Sequence, residues 1–123
     1  MRTFFISGHL DLTAAEFTEH YQPLLDAALL EGAAFVVGDA RGADALAQAY
    51  LAGKTARVTV YHMLAAPRHN LGQFPLCGGF AADGDRDAAM TAASTDDLAW
   101  VRPGREKSGT ARNLQRRGAA RPD

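Results

Sequence analysis

Ala34-Phe35-Val36-Val37-Gly38-Asp39-Ala40-Arg41-Gly42-Ala43-Asp44 is the stretch that decides the fold. It opens on an unbroken apolar run, breaks at a glycine-bearing turn, and leads into residues 43–52. There Ala43, Leu46, Ala47, Tyr50 and Leu51 recur at helical spacing, and Gly53 is placed to stop the helix. A short strand apolar on both sides and followed at once by a helix is the repeating piece of a parallel sheet covered on both faces.

The same alternation extends in both directions. Thr3 to Ser7, Arg57 to Met63 and Leu98 to Arg102 read as further buried strands, rich in Phe, Val, Ile, Tyr or Trp. Thr13-Ala14-Ala15-Glu16 has capping-box form and is followed by Phe17, Tyr21, Leu24, Leu25 and Ala28 at helical spacing. Pro23 inside that stretch predicts a kink or a restarted helix. Helices are also expected over residues 83–93 and from about Ser108. The order β-α-β-α-β-loop-α-β-α predicts a single-domain Rossmann-like three-layer α/β/α fold, with a parallel sheet of about four to five strands. The domain is expected over residues 1–115, with 116–123 as a basic, solvated tail. The long connection from Leu64 to Ala82 carries Pro67, Gly72, Pro75, Gly78 and Gly79 and has no strong period. Such a loop is either a functional lid or contact surface, or an inserted segment.

With 123 residues the chain has room for one core, and 47% apolar with 22% charged residues is ordinary globular composition. No apolar run is long enough to span a bilayer, and the Phe4-Phe5-Ile6 stretch is too short for a secretion signal. The single Cys77 has no internal partner, which fits a reducing, cytoplasmic setting. A net charge of −1 gives no long-range attraction to nucleic acid. The basic residues Arg102, Arg105, Lys107, Arg112, Arg116, Arg117 and Arg121 gather towards one end without interleaved aromatics, so no nucleic-acid partner is expected.

In open α/β sheets ligands bind beyond the carboxyl ends of the strands. Three glycine-bearing loops fall there: Ser7-Gly8-His9, Gly38 to Asp44, and Pro103-Gly104 through Ser108-Gly109-Thr110. Glycine allows close approach of an anion, and a helix N-terminus offers unpaired N–H groups. Ser108 and Thr110 would add hydroxyl donors, and Arg102, Arg105 or Lys107 positive charge. Each loop alone is better explained by a tight turn, but three at one edge point to a ligand site.

Arg86-Asp87-Ala88-Ala89-Met90, Ser94-Thr95-Asp96-Asp97, the apolar Leu98 to Arg102, then Pro103-Gly104 and Ser108-Gly109-Thr110 together resemble the SLOG superfamily of Rossmann-like proteins. That group includes LOG-type phosphoribohydrolases, lysine decarboxylase-like relatives, molybdenum-cofactor carriers, DNA-processing proteins and nucleotide-sensing domains. Gly38-Asp39-Ala40-Arg41-Gly42-Ala43-Asp44 is similar to a Gly-x-Ala-x-Gly-Ala-Asp segment of small members. The resemblance spans most of the chain. It implies phosphate held by Gly104, Ser108, Gly109 and Thr110, base and ribose near Gly8, His9, Gly38, Asp39 and Asp44, and Arg86 as anchoring cation. It also implies a homodimer or higher homo-oligomer, because small members often build the pocket across two subunits. Two departures stand out. The phosphate loop is longer than the family pattern and lacks its second adjacent glycine, and the glutamate expected three residues after Gly-Thr is Asn113. In the phosphoribohydrolases that glutamate is implicated in cleaving the N-glycosidic bond, and neutral Asn113 is poorer at stabilising charge on ribose or positioning water. The expectation is therefore binding of a nucleotide or nucleotide-derived ligand. An N-glycoside hydrolase or deoxyribosyltransferase using Arg86, Asp44 or Asp87 is the alternative, and a protein-interaction module with a vestigial pocket is a third.

Other residues leave alternatives open. His9 either meets a base or ribose or is a plain exposed turn residue, while Asp11 and Thr13 read as turn and cap. Asp39 and Asp44 either hold ribose hydroxyls or cap the next helix, and Arg41 either meets a phosphate or pairs with an acid. Arg68-His69-Asn70 either reaches over the pocket or forms an exposed turn. His62, His69, Cys77 and Asp83 match no compact zinc spacing, so neither metal nor cofactor is expected. Tyr61, Met63 and Trp100 read as core, and no nucleophile elbow is present.

Overall fold

The computed structural model of the chain describes residues 1–120. Five strands, β1 (Thr3–Ser7), β2 (Ala34–Gly38), β3 (Val58–Met63), β4 (Leu76–Phe80) and β5 (Asp96–Ala99), form one sheet in the order β4-β3-β2-β1-β5, parallel throughout. The helices are α1 (Ala14–His20), α2 (Gln22–Leu30), α3 (Ala43–Leu51), α4 (Asp83–Ala93) and α5 (Gly109–Ala120). This is a single-domain, Rossmann-like α/β fold. Among the described residues no helix is long and apolar enough to cross a membrane.

The period-two alternation of each strand divides the core between the two faces. Ile6, Phe35, Val37, Val58 and Val60 pack with Phe17, Leu25, Ala43, Ala47 and Leu51 of α1 to α3 and with Tyr21 between α1 and α2. Their neighbours Phe5 and Val36 turn to the other face and pack with Met90 of α4. Thr13 caps α1 as the sequence suggests: its hydroxyl accepts from the Glu16 N–H at 3.1 Å, and Glu16 returns the bond to the Thr13 N–H at 3.0 Å. Pro23 sits in the first turn of α2, so the helix restarts at that point.

Three expectations need correction. The Leu64 to Ala82 connection contains β4, an edge strand whose Leu-Cys-Gly-Gly-Phe composition and exposed pattern hide it from a propensity reading. The last strand lies at Asp96–Ala99 rather than Leu98 to Arg102. Backbone donors beyond it turn to side chains instead, Trp100 N–H to the Tyr21 hydroxyl at 3.2 Å and Arg102 N–H to His9 Nε2 at 2.8 Å. Finally, α5 continues through Ala120, and Arg116 and Arg117 belong to it rather than to a frayed tail. Arg117 pairs with Asp97 at 3.0 Å and donates to the Ser94 carbonyl at 2.9 Å, which ties α5 to β5 and the end of α4. Arg121 to Asp123 lie outside the described residues.

Candidate functional site

From β1 the chain builds outward through β2 and β3 to β4, then α4 carries it back to β5 on the opposite side of β1. That reversal opens a crevice at the carboxyl ends of β1 and β5, the place where open α/β sheets bind ligands. A cleft of about 510 Å³ lies there, between the ends of β1, α4 and α5. Buried Phe5 and Met90 give it an apolar floor.

One end is built by α5. Ser108, Gly109, Thr110, Arg112, Asn113 and Arg116 line it, together with Arg105 from the preceding loop. The Ser108 hydroxyl accepts from the Ala111 N–H at 3.2 Å and so caps the helix. The N–H groups of the first turn have no carbonyl behind them, and with the helix dipole they favour an anion. Asn113 is buried, and its Oδ1 accepts from Arg116 Nη1 at 2.6 Å. Because a guanidinium only donates, this contact fixes the amide with its NH₂ group turned away from Arg116. Arg105 donates to Asp11 at 3.0 Å. Arg102, an expected cation of the site, turns away from the cleft and pairs with Glu16 at 2.7 Å and Asp11 at 3.1 Å. The bond from Arg102, aided by the Thr13 N–H, holds the Glu16 carboxyl down at about 2.

The other end is a buried charge cluster. Asp39 is fully buried and accepts from Arg68 Nη2 at 2.8 Å, from the Arg68 backbone N–H at 2.8 Å, and from Arg86 Nη1 at 3.0 Å. Burial pushes its carboxyl up, but the bonds from Arg68 and the charges of Arg68 and Arg86 outweigh this, and it lies below its ordinary value. Arg86 also contacts Asp87 at 3.2 Å and Asp83 at 3.4 Å. Asp44, at the start of α3, accepts from the Ala40 N–H at 3.2 Å; its other oxygen has no donor among the described residues. Burial lifts the Asp44 carboxyl to about 7, against the charge of Arg86 and the bond from Ala40, with Asp87 and Asp39 adding to the rise.

His9 is buried at the end of β1, where its carbonyl accepts from the N–H groups of Leu12 and Ala43. Since its Nε2 accepts from Arg102 N–H, the proton of the neutral ring sits on Nδ1. Burial, then Arg105 and Arg102, lower its pKa, so it stays neutral at pH 7 and pins two loops together while lining the cleft. Tyr21 works beside it, donating to the Ser7 carbonyl at 2.7 Å.

Gly8, His9, Asp44, Arg86, Asp87, Ser108, Gly109, Thr110 and Asn113 therefore meet around one space. Asp39 lies beneath it as a support, and Arg41, Gly42 and Gly104 do not line it. Arg41 is exposed. The glycines of the first two loops are demanded by packing: a Cβ on Gly8 would strike Ala43 and the Tyr21 hydroxyl, and one on Gly42 would strike the His9 and Leu10 carbonyls. Arg68 and His69 do fold back on the site; His69 Nδ1 lies 2.9 Å from the Asp39 carbonyl and the buried Gln48 amide donates to the His69 carbonyl at 3.2 Å. Arg112, Arg116 and Ser7 line the cleft without having been singled out, since nothing in an isolated sequence marks which arginine of a basic stretch faces inward. Among the described residues no group of three or more His, Cys, Asp or Glu is placed to hold a metal ion.

Comparison with protein-family models, with curated proteins and with solved structures finds no match to the chain.

Proposed function

We propose that the chain binds a nucleotide or a nucleotide-derived phosphorylated ligand in this cleft. The observation that carries the proposal is the gathering of donors at the α5 end, where the helix N-terminus, the Asn113 amide, Arg105, Arg112 and Arg116 surround one space. A phosphate matches such a donor set, and the apolar floor of Phe5 and Met90 suits the body of a nucleoside. The resemblance to SLOG proteins, carried by the sequence motifs, supports the same ligand class. A homo-oligomer and a cytoplasmic setting belong to this proposal, and sedimentation of the purified chain tests the former.

Calorimetric titration against nucleoside mono-, di- and cyclic phosphates, with chromatography of each mixture afterwards, tests it. Saturable binding with the nucleotide recovered intact is expected, and Arg112→Ala should weaken it about tenfold, the loss of one charge-assisted bond. Absence of binding across the panel refutes the proposal. Hydrolysis of the N-glycosidic bond is the second reading, favoured by Asp44, whose carboxyl near 7 can exchange a proton at neutral pH. Free base in the mixture would establish it.

A further inference from the structure

Ser7 ends β1 with its hydroxyl buried and, among the described residues, without a hydrogen-bond partner, and it lines the cleft. Among the described residues the one other side-chain atom in that state is Thr91 Oγ1, and Thr91 does not line the cleft. A buried hydroxyl with no partner is destabilising, and such groups in folded proteins call for an explanation. The register of the sheet supplies one. Ile6 of β1 pairs with Val37 of β2, so Ser7 stands beside Gly38 one residue further on. Phe5 and Val36 face α4, and by alternation Ser7 and the bare Cα of Gly38 face the same way. The space a Cβ on Gly38 would fill is taken by Asp44 Oδ2, with the Arg86 guanidinium carbon 3.5 Å from that position. Ser7 and the Asp44 carboxylate are thus neighbours across one strand spacing, about 5 Å. One offers a hydroxyl that both donates and accepts, the other a carboxyl that accepts when ionised and can also donate when protonated.

Two adjacent hydroxyls on a ligand, each a donor and an acceptor, satisfy both groups at once. Resting on the nucleotide-binding proposal above, we infer that Ser7 and Asp44 hold the vicinal 2′- and 3′-hydroxyls of a ribose, which makes the cleft selective for ribose-bearing phosphates over their dideoxy counterparts. The sugar would then lie over β1 and β2, with its phosphate reaching the α5 end.

The test compares the 5′-monophosphates of adenosine, guanosine, cytidine and uridine with their 2′,3′-dideoxy counterparts and with ribose 5-phosphate, by calorimetry on the full chain. Ribonucleotides are expected to bind at least about tenfold more tightly than the dideoxy forms, the usual effect of leaving a built polar site unfilled. Ser7→Ala should shrink that ratio several-fold. The same variant should raise the Tm of the ligand-free protein by about 4 °C, because it deletes an unsatisfied buried hydroxyl. Ribose 5-phosphate binding as tightly as any nucleotide would identify a sugar phosphate as the source of the diol. Equal affinity for ribo and dideoxy forms overturns the inference and leaves nucleotide binding standing. A Ser7→Ala protein with an unchanged ratio overturns it equally. If neither the nucleotides nor ribose 5-phosphate bind, the nucleotide-binding proposal falls with it.

Discussion

Replacing Asp44 by Asn should stabilise the protein, by an amount that grows as pH rises from about 4 to about 7. The carboxyl is buried in the wall of the cleft, and its pKa rises from 3.8 to about 7, first because of burial. The folded state therefore holds a proton that the unfolded chain has already released between about pH 4 and pH 7. Its favourable contribution is complete below about pH 4 and is lost as pH climbs through about 7. A rise of some three pH units corresponds to about 4 kcal/mol between the two limits. Asparagine is close in shape, keeps an oxygen for the Ala40 N–H and carries no charge to desolvate. At pH 8 Asp44→Asn should gain nearly all of that energy, at pH 5 only about 1.5 kcal/mol, and well below pH 4 almost none. With an unfolding entropy of about 0.26 kcal/mol/K for a chain of this length, the Tm difference at pH 8 is on the order of 15 °C. Thermal unfolding of both proteins by circular dichroism at pH 5 and pH 8 measures it. A variant destabilised by the same amount at both values would refute the reasoning, since Asp44 would then act through its hydrogen bond rather than its buried charge.

Asp39→Ala removes the buried acceptor shared by Arg68 and Arg86, leaving Arg86 only Asp83 and Asp87, and should cost about 3 kcal/mol in urea unfolding. Hydrogen exchange of the Arg68 amide, which Asp39 also accepts, should quicken alongside. Gly8→Ala forces a methyl group against Ala43 and the Tyr21 hydroxyl and should lower stability by about 1–3 kcal/mol, read as a fall in urea midpoint. Arg117→Ala leaves Asp97 without its partner in a nearly buried setting; a loss of about 3 kcal/mol is expected, whereas a solvated tail residue would show none.

Much of the fold is legible because it rests on local patterns. Thr3-Phe4-Phe5-Ile6-Ser7 and Ala34-Phe35-Val36-Val37-Gly38 are strands over the residues their apolar runs mark, and α4 spans the stretch read for it. β4 was hidden because its two glycines and exposed pattern carry no strand signal; it forms by pairing with β3 at the sheet edge. The end of β5 is not legible in the sequence because the His9 and Tyr21 side chains, distant in sequence, take the backbone donors that would have extended it. In the site, the general rule about strand ends located the cleft, while the tasks of single residues depended on long-range geometry. Gly8 and Gly42 leave room for the chain itself, Arg102 serves α1, and Arg86 is tied into a cluster with Asp39 and Asp87. Ser7, unremarkable as the last residue of a strand, matters because it lines the cleft while its buried hydroxyl has no partner among the described residues.

The most direct test of the central claim is a ¹H–¹⁵N correlation spectrum of the full chain titrated with a ribonucleoside monophosphate. Binding in the cleft predicts saturable shifts confined to the amides of Ser7 to Leu10, of Ala40 to Asp44, of the first turn of α4 and of Ser108 to Asn113. Shifts centred elsewhere on the sheet, or a spectrum unchanged at millimolar nucleotide, would contradict it.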